Sequence, residues 1–110
     1  MKEIKGFKGR YLIDEESNIY DNKKNKYLTY HKSEKIEKRA YWQVSLYVDG
    51  LRFTRKVHQL MAMTHLNHVY GDRCVVIDHI DDNKLNNRLD NLQIVSMSYN
   101  LLKKNNKNLK

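Results

Sequence analysis

The sequence is poor in the residues that build cross-linked or repetitive proteins, with one cysteine, four glycines and no proline. The lone Cys74 cannot form an internal disulfide, and the common structural zinc sites use more than one cysteine. Collagen-like and linker-like compositions need far more glycine or proline than this. The sequence therefore excludes disulfide scaffolds, zinc fingers and low-complexity proteins.

Long apolar runs are also missing. No stretch approaches the roughly 18 apolar residues that span a bilayer, and the N-terminal MKEIKGFKGRY lacks the apolar segment of a signal peptide. These features predict an intracellular protein without a transmembrane segment.

What the sequence does contain is positive charge. Its 110 residues suffice for one compact domain, and 21 Lys and Arg against 13 Asp and Glu leave a net charge of +8. Such a balance indicates a polyanionic partner, with nucleic acid favoured first and an acidic membrane surface second.

The charges are unevenly distributed along the chain. Residues 72–90 hold five acids and three bases, whereas residues 91–110 hold four lysines and no acid. Carboxylates and asparagines grouped in a basic protein favour a divalent cation that bridges protein and nucleic acid. The alternative is a polar loop of turn-forming residues.

The first 40 residues predict short strands. We expect strands at residues 11–13, 19–20 and 27–30, with a polar turn at 14–18. Residues 31–39 are charged and have no apolar stripe, so they predict a loop or a mobile insertion.

The clearest local pattern is a hairpin. Apolar residues alternate from Trp42 to Val48, and Asp49-Gly50 is a favoured type I′ turn. The opposite face mixes cations with aromatic rings, which is typical of nucleic-acid surfaces and also of solvated strands. It comprises Tyr41, Gln43, Ser45, Tyr47, Arg52, Thr54 and Lys56.

An amphipathic helix is predicted next, at residues 58–66. It places His58 and His65 on one side, seven residues apart. Metal-binding pairs on helices are usually closer, so packing or phosphate contact is the favoured role of these histidines.

The C-terminal part predicts a strand, loop, strand and helix. A buried strand at residues 74–77 leads to Asp78 and His79, and residues 80–91 form a segment that we call the Asp/Asn loop. A strand at 92–95 follows, and Ser96 would cap a helix to about residue 105. Met97 and Leu101 would face inward, which completes an α+β fold.

Asp78 and His79 offer a metal ligand beside a base, and Asn100 on the last helix offers an amide oxygen, as phosphodiester hydrolysis requires. Loop architecture accounts for the asparagines at 83, 86 and 87. An EF-hand starting at Asp78 is rejected because Asn83 stands at its glycine position and Leu89 at its glutamate position.

The run VIDHIDDNKLNNRLDNLQIVSMSYN resembles the HNH, or ββα-metal, endonucleases encoded by phages and their self-splicing introns. The framework D-H-x-D-x-N-x-x-N-N-x-x-x-N-L-x-x-V-x-x-x-x-N is matched from Asp78 to Asn100. VHQLMAMTHL is similar to the helix that introduces this motif, and KGFKGRYLIDEESNIYD to the small β module before it. The resemblance implies an α+β fold in which a β-rich DNA-contacting module (1–57) and a ββα-metal catalytic region (58–110) pack as one domain.

The resemblance also implies roles. His79 becomes the general base, Asp78 and Asn100 become metal ligands, and Asn91 becomes the central residue that ties the loop together and helps to orient the histidine. Asn100 replaces the third-position histidine of many members, giving an H-N-N variant. An amide oxygen favours one Mg²⁺ or Mn²⁺ ion over Zn²⁺.

The expected partner is double-stranded DNA, bound by a monomer or homodimer in the cytoplasm, the host cell's if a phage encodes the protein. Two alternatives stay open: a DNA-binding regulator or host-takeover protein that keeps the HNH fold without its chemistry, and an RNA-binding module. The expected DNA contacts are the basic side chains Arg52, Lys56, Lys84, Arg88, Lys103 and Lys104.

Overall fold

The computed structural model describes residues 1–35, 40–68 and 75–98. In this part of the chain, antiparallel strands form three sheets beside a short helix. The first sheet has the order β1-β2-β3-β4, the second β5-β6-β7 and the third β8-β9. The bounds are β1 Lys2–Glu3, β2 Tyr11–Ile13, β3 Ile19–Asp21, β4 Lys26–Tyr27, β5 His31–Lys32, β6 Trp42–Val48, β7 Leu51–Lys56, α1 Val57–His65, β8 Val75–His79, a 3₁₀ turn Leu89–Asn91 and β9 Leu92–Ser96.

The first sheet confirms the predicted strands at 11–13 and 19–20. The turn between them is held by Asp14, whose Oδ1 accepts hydrogen bonds from the backbone N–H groups of Glu16 and Asn18. The third predicted strand is shorter and earlier than expected, at Lys26–Tyr27. The edge strand β1 was not predicted, because its two exposed charged residues carry no apolar alternation.

The second sheet confirms the predicted hairpin. Asp49 and Gly50 have φ angles of 52° and 77°, which are the positive values a type I′ turn requires. The prediction of a loop throughout residues 31–39 is wrong at its start, since β5 pairs with Gln43 and Trp42 of β6. This pairing uses the backbone of two exposed residues, so no hydrophobic pattern in the sequence predicts it.

Helix α1 lies against both of these sheets and β9, and its apolar stripe enters the core. Val57, Leu60 and Met61 are at most 1% exposed. They join a single cluster with side chains from residues 1–57 and with Leu92 from the C-terminal region. The division at residue 57 stays a prediction. The described members of this cluster are Ile4, Phe7, Tyr11, Ile13, Ile19, Val44, Leu46, Val57, Leu60, Met61 and Leu92.

Strands β8 and β9 pair from Val75↔Ser96 to His79↔Leu92. The first strand is longer than predicted and includes Asp78 and His79. Met97 is 44% exposed, so its predicted inward orientation is wrong. Residues 97 and 98 are helical, so a helix begins directly after Ser96 as predicted, with Met97 on its exposed side. Leu101 and the rest of the predicted helix from residue 99 lie outside the described residues.

No helix in the described ranges combines the length and apolar composition that crossing a bilayer requires.

A buried ion pair fixes the first sheet and supports a stability prediction. Asp21 is 1% exposed and accepts hydrogen bonds from Nε and a terminal nitrogen of Arg10 at 3.1 and 3.0 Å. Burial alone would raise the pKa of Asp21, but the hydrogen bonds from Arg10 and the backbone N–H groups of Lys23 and Lys24 outweigh it, so the pKa lies below its usual 3.8.

We expect Arg10→Met to lower the free energy of unfolding by about 3 kcal/mol, because it leaves the Asp21 carboxylate buried without its counter-charge. Urea denaturation at neutral pH measures this, and the double variant Arg10→Met/Asp21→Leu should recover part of the loss. Asp21 has a depressed folded-state pKa, so its contribution is present above the unfolded value near 3.8 and is lost as the pH falls through the folded value. An Arg10→Met protein as stable as the wild type would contradict this account.

Candidate active site

Asp78 and His79 are the last two residues of β8, and both are buried, at 6% and 7% exposure. They lie opposite Gln93 and Leu92 of β9. Gln93 Nε2 donates a hydrogen bond of 2.8 Å to Asp78 Oδ2. Because a cross-strand partner holds one of its oxygens, the carboxylate of Asp78 has a fixed orientation at the end of the sheet.

The imidazole of His79 is held by the side chain of Asn87, to which the sequence analysis gave no role of its own. Its Nε2 lies 2.9 Å from Oδ1 of Asn87, which is only 4% exposed. An amide oxygen accepts and cannot donate, so Nε2 carries the proton of the neutral ring and the lone pair lies on Nδ1. Asn87 therefore sets both the orientation and the tautomer of His79.

Asn91 ties the Asp/Asn loop together through several hydrogen bonds. Its Oδ1 accepts from the backbone N–H of Asp81 at 3.0 Å, and its Nδ2 donates to Asp81 Oδ1 and to the Asn86 carbonyl, both at 2.9 Å. Its backbone carbonyl also accepts from Ile80 N–H at 2.8 Å. Asn91 holds the residue next to Asn87, so the described contacts connect it to His79 through the loop.

Asp81 is the carboxylate at the centre of this loop. Its Oδ2 accepts from Asn86 Nδ2 at 2.9 Å, and its Oδ1 accepts from the backbone N–H of Asn83 at 2.8 Å. The hydrogen bonds from Asn86, Asn83 and Asn91 lower the pKa of Asp81 below its usual value. The sequence placed Asp81 in the family framework without a role, and the structure shows that it organises the loop.

The ring of His58 packs against the ring of His79. Their ring centroids are 5.3 Å apart with the planes at 68°, and the ring of Tyr41 lies 4.9 Å from His58 on another side. Burial, together with the nearby charges of His79 and Lys56, lowers the pKa of His58 to about 3, so this ring is neutral at physiological pH. Its Nδ1 has no hydrogen-bond partner among the described residues.

The two histidines of α1 lie at opposite ends of the helix and have different surroundings. His65 does not join His58, because its Nε2 lies 3.0 Å from the backbone oxygen of Asp14 at the other end of α1. The described residues contain no group of three or more His, Cys, Asp or Glu side chains that could hold a metal.

The basic side chains predicted to contact DNA are in different surroundings. Arg52 is exposed and donates to Ser45 Oγ at 3.2 Å, on the polar face of the hairpin. Arg88 is paired with carboxylates, 3.7 Å from Glu16 and 3.4 Å from Asp90, which reduces the charge it can offer to DNA. Both Lys56 and Lys84 lie against the ring of Tyr41. Lys103 and Lys104 lie outside the described residues.

The second predicted metal ligand, Asn100, also lies outside the described residues. What the structure does describe is Asp78, a buried carboxylate oriented by Gln93 and adjacent to His79. A fixed carboxylate is a hard oxygen ligand, which suits Mg²⁺ or Mn²⁺ better than Zn²⁺. The described donor therefore fits the expected ion.

Comparison with known proteins identifies this arrangement of a strand pair, an Asp/Asn loop and a histidine. A family model described as HNH endonuclease matches residues 55–102, which include Asp78, His79 and Asn91. The match confirms that residues 55–102 carry the HNH endonuclease motif that the sequence predicted.

Its relatives include phage enzymes. The DNA endonuclease I-HmuI of Bacillus phage SP01 is 34% identical over 100 residues, which are 91% of this chain and 54% of that protein. The H-N-H endonuclease F-TflII of Escherichia phage T5 is 33% identical over 86 residues, which are 78% of this chain and 42% of that protein. The chain thus spans about half the length of these relatives.

The fold agrees with a solved structure of DNA binding and cleavage by the HNH homing endonuclease I-HmuI. The match has a TM-score of 0.80 at 30% identity and covers 97% of this chain and 58% of that chain. The predicted α+β class, with β hairpins and a short helix before the HNH motif, is therefore confirmed.

Proposed function

We propose that this protein is a divalent-metal-dependent endonuclease that hydrolyses phosphodiester bonds of double-stranded DNA. The observation that carries the proposal is the His79–Asn87 hydrogen bond at the end of β8, next to the buried Asp78. This pair presents an oriented base beside a hard-metal ligand in a chain whose relatives are DNA endonucleases. With one such site among the described residues, cutting one strand is the basic reaction, and a homodimer could cut both.

In this mechanism His79 removes a proton from the water that attacks the phosphorus. The proton goes to Nδ1, because Nε2 already holds the proton that faces Asn87 Oδ1. The bond from phosphorus to the 3′ oxygen breaks. Asn91 does not act on the substrate; it keeps the loop that carries Asn87 in place through Asp81 and Asn86.

Asp78 and Asn100 would hold one Mg²⁺ or Mn²⁺ ion, which supplies positive charge to the scissile phosphate and to the departing oxygen. The contribution of the chain is orientation: Gln93 fixes the carboxylate of Asp78 from the neighbouring strand.

Binding of the DNA backbone falls to the basic side chains around the site. Arg52 and Lys56 lie on the polar face of the hairpin, and Lys84 projects from the Asp/Asn loop. Together with Arg88, Lys103 and Lys104 they supply the electrostatic part of the affinity. We further propose a cytoplasmic protein that works as a monomer or homodimer.

The experiment that tests this function is the conversion of supercoiled plasmid by the chain in Mg²⁺, in Mn²⁺ and in EDTA. Open-circular or linear DNA that appears with either ion and not in EDTA supports the proposal. Tight DNA binding with intact plasmid, and with an intact sequence-diverse fragment pool, would support the DNA-binding regulator instead.

Asp78→Asn tests the metal ligand. Asparagine can still accept the hydrogen bond from Gln93 but carries no negative charge. We expect the Mg²⁺ concentration for half-maximal cleavage to rise by about 10-fold or more, measured by metal titration of the nicking rate. The exposed Asp82, in the same loop, provides the control Asp82→Asn, for which the Mg²⁺ concentration for half-maximal cleavage should equal that of the wild type. Equal Mg²⁺ concentrations for Asp78→Asn and the wild type would show that Asp78 is not a metal ligand.

A further inference from the structure

The ring of Tyr41 brings together two ammonium groups from distant parts of the chain. Lys56 Nζ lies 4.7 Å from the ring centroid and Lys84 Nζ lies 5.2 Å from it. Lys56 ends β7, and Lys84 belongs to the Asp/Asn loop. The backbone of Tyr41 is fixed in turn, because its N–H donates to Ser33 Oγ at 3.0 Å and its carbonyl accepts from Ser33 N–H at 2.9 Å.

Within the described ranges, neither of these two positive charges has a carboxylate partner. Neither lysine forms a salt bridge with an acidic side chain of the described residues. The neutral ring attracts each ammonium group, yet the two like charges that it holds repel each other. An anion bound beside them would relieve this repulsion, and in a DNA-binding protein that anion is a backbone phosphate.

The location connects the cluster to the active site. The ring of Tyr41 contacts His58 at 4.9 Å, and His58 contacts His79 at 5.3 Å. The ring of Tyr41 is in contact with His58 and with the two ammonium groups, and a base that stacked on it would compete with these contacts. Charge recognition is thus the function that the contacts favour.

We propose that Tyr41, Lys56 and Lys84 form a phosphate-binding subsite that holds the DNA backbone next to the bond at His79, with Tyr41 as the positioning residue. The subsite rests on the proposed DNA endonuclease function and deepens it, because it turns two separate basic residues into one unit built on an aromatic ring.

The lysines are tested by DNA affinity in EDTA, with the full chain and a labelled DNA duplex. Lys56→Gln and Lys84→Gln should each weaken binding by about 5- to 10-fold and reduce the slope of log affinity against log salt by about 1. Lys26→Gln removes the same charge from the exposed strand β4 and should leave both quantities near the wild-type values. Losses no greater than that of Lys26→Gln would overturn the proposal.

The role of the ring is tested by a pair of variants. Tyr41→Phe keeps the aromatic face and should bind DNA as the wild type does. Tyr41→Leu should weaken binding, and adding Lys84→Gln to it should cost less than Lys84→Gln costs alone, because the support is already gone. Wild-type affinity of Tyr41→Leu would overturn the proposal, and thermal melts of all variants establish that they are folded.

The DNA affinity measured in EDTA is independent of cleavage. Affinity that depends on the subsite in a chain that never cuts DNA would keep the subsite and reject the nuclease. Metal-dependent cutting with affinity indifferent to all three residues would reject the subsite and keep the nuclease.

Discussion

His79→Ala is expected to lower the single-turnover rate of plasmid nicking by about 10²- to 10⁴-fold, the usual contribution of a general base. The affinity for DNA in EDTA should stay at the wild-type value. The reason for this separation is that His79 is buried and contacts His58 and Asn87, whereas the proposed DNA contacts are made by basic side chains elsewhere. Nicking rates and binding isotherms, measured on the same protein preparations, give the two quantities.

A second variant shows whether the loss is chemical. His79→Ala leaves a cavity and an unsatisfied Asn87 oxygen, and either could destabilise the loop. His79→Gln can still donate to Asn87 Oδ1 but is not a base. Both variants should be inactive, and His79→Gln should melt near the wild-type temperature. Nicking by either variant within about twofold of the wild-type rate would exclude His79 from the role of a general base.

The second large effect is expected at Asn87. Asn87→Leu removes the acceptor that fixes the tautomer of His79, so kcat should fall by about 10- to 100-fold with KM unchanged. Asn87→Asp retains an oxygen at the same place and should keep much more of the activity. Steady-state nicking kinetics measure kcat and KM separately. Recovery of kcat in Asn87→Asp would show that the oxygen acceptor, and not only the packing of Asn87, matters.

The control for this pair is Asn83→Ala, a change in the same loop at an exposed residue that accepts from Leu85 N–H and does not bond to His79. Its kcat should stay near the wild-type value. Equal losses for Asn83→Ala and Asn87→Leu would mean that any disturbance of the loop slows the reaction, and Asn87 would then have no specific role.

Local patterns in the sequence predicted much of the fold. Asp49-Gly50 between alternating apolar residues specified the hairpin, because the two-residue type I′ turn needs these residue types. The helical spacing of Val57, Leu60 and Met61 predicted α1. Strands β1 and β5 escaped prediction because exposed two-residue strands are stabilised by backbone pairing with distant residues.

Prediction of the site was limited in the same way, because contacts between residues distant in sequence are not visible in local patterns. The motif specifies which residue types follow β8, so it made Asp78, His79 and Asn91 candidates, and their functional roles stay predictions. It could not tell Asn87, which faces the histidine, from asparagines that only form turns. The contacts of Gln93 with Asp78 and of His58 with His79 depend on strand register and helix packing. The roles of Asn100, Lys103 and Lys104 stay predictions.

The central claim is that His79 is the base of a metal-dependent DNA hydrolysis, and its most direct test is chemical rescue. The nicking rate of His79→Ala is measured in Mg²⁺ with and without added imidazole, beside the wild type and Asp78→Asn. We predict that imidazole, as a replacement base in the vacated space, restores cleavage to His79→Ala and to neither of the others. Wild-type cleavage by His79→Ala without imidazole, or equal stimulation of all three proteins, would contradict the account.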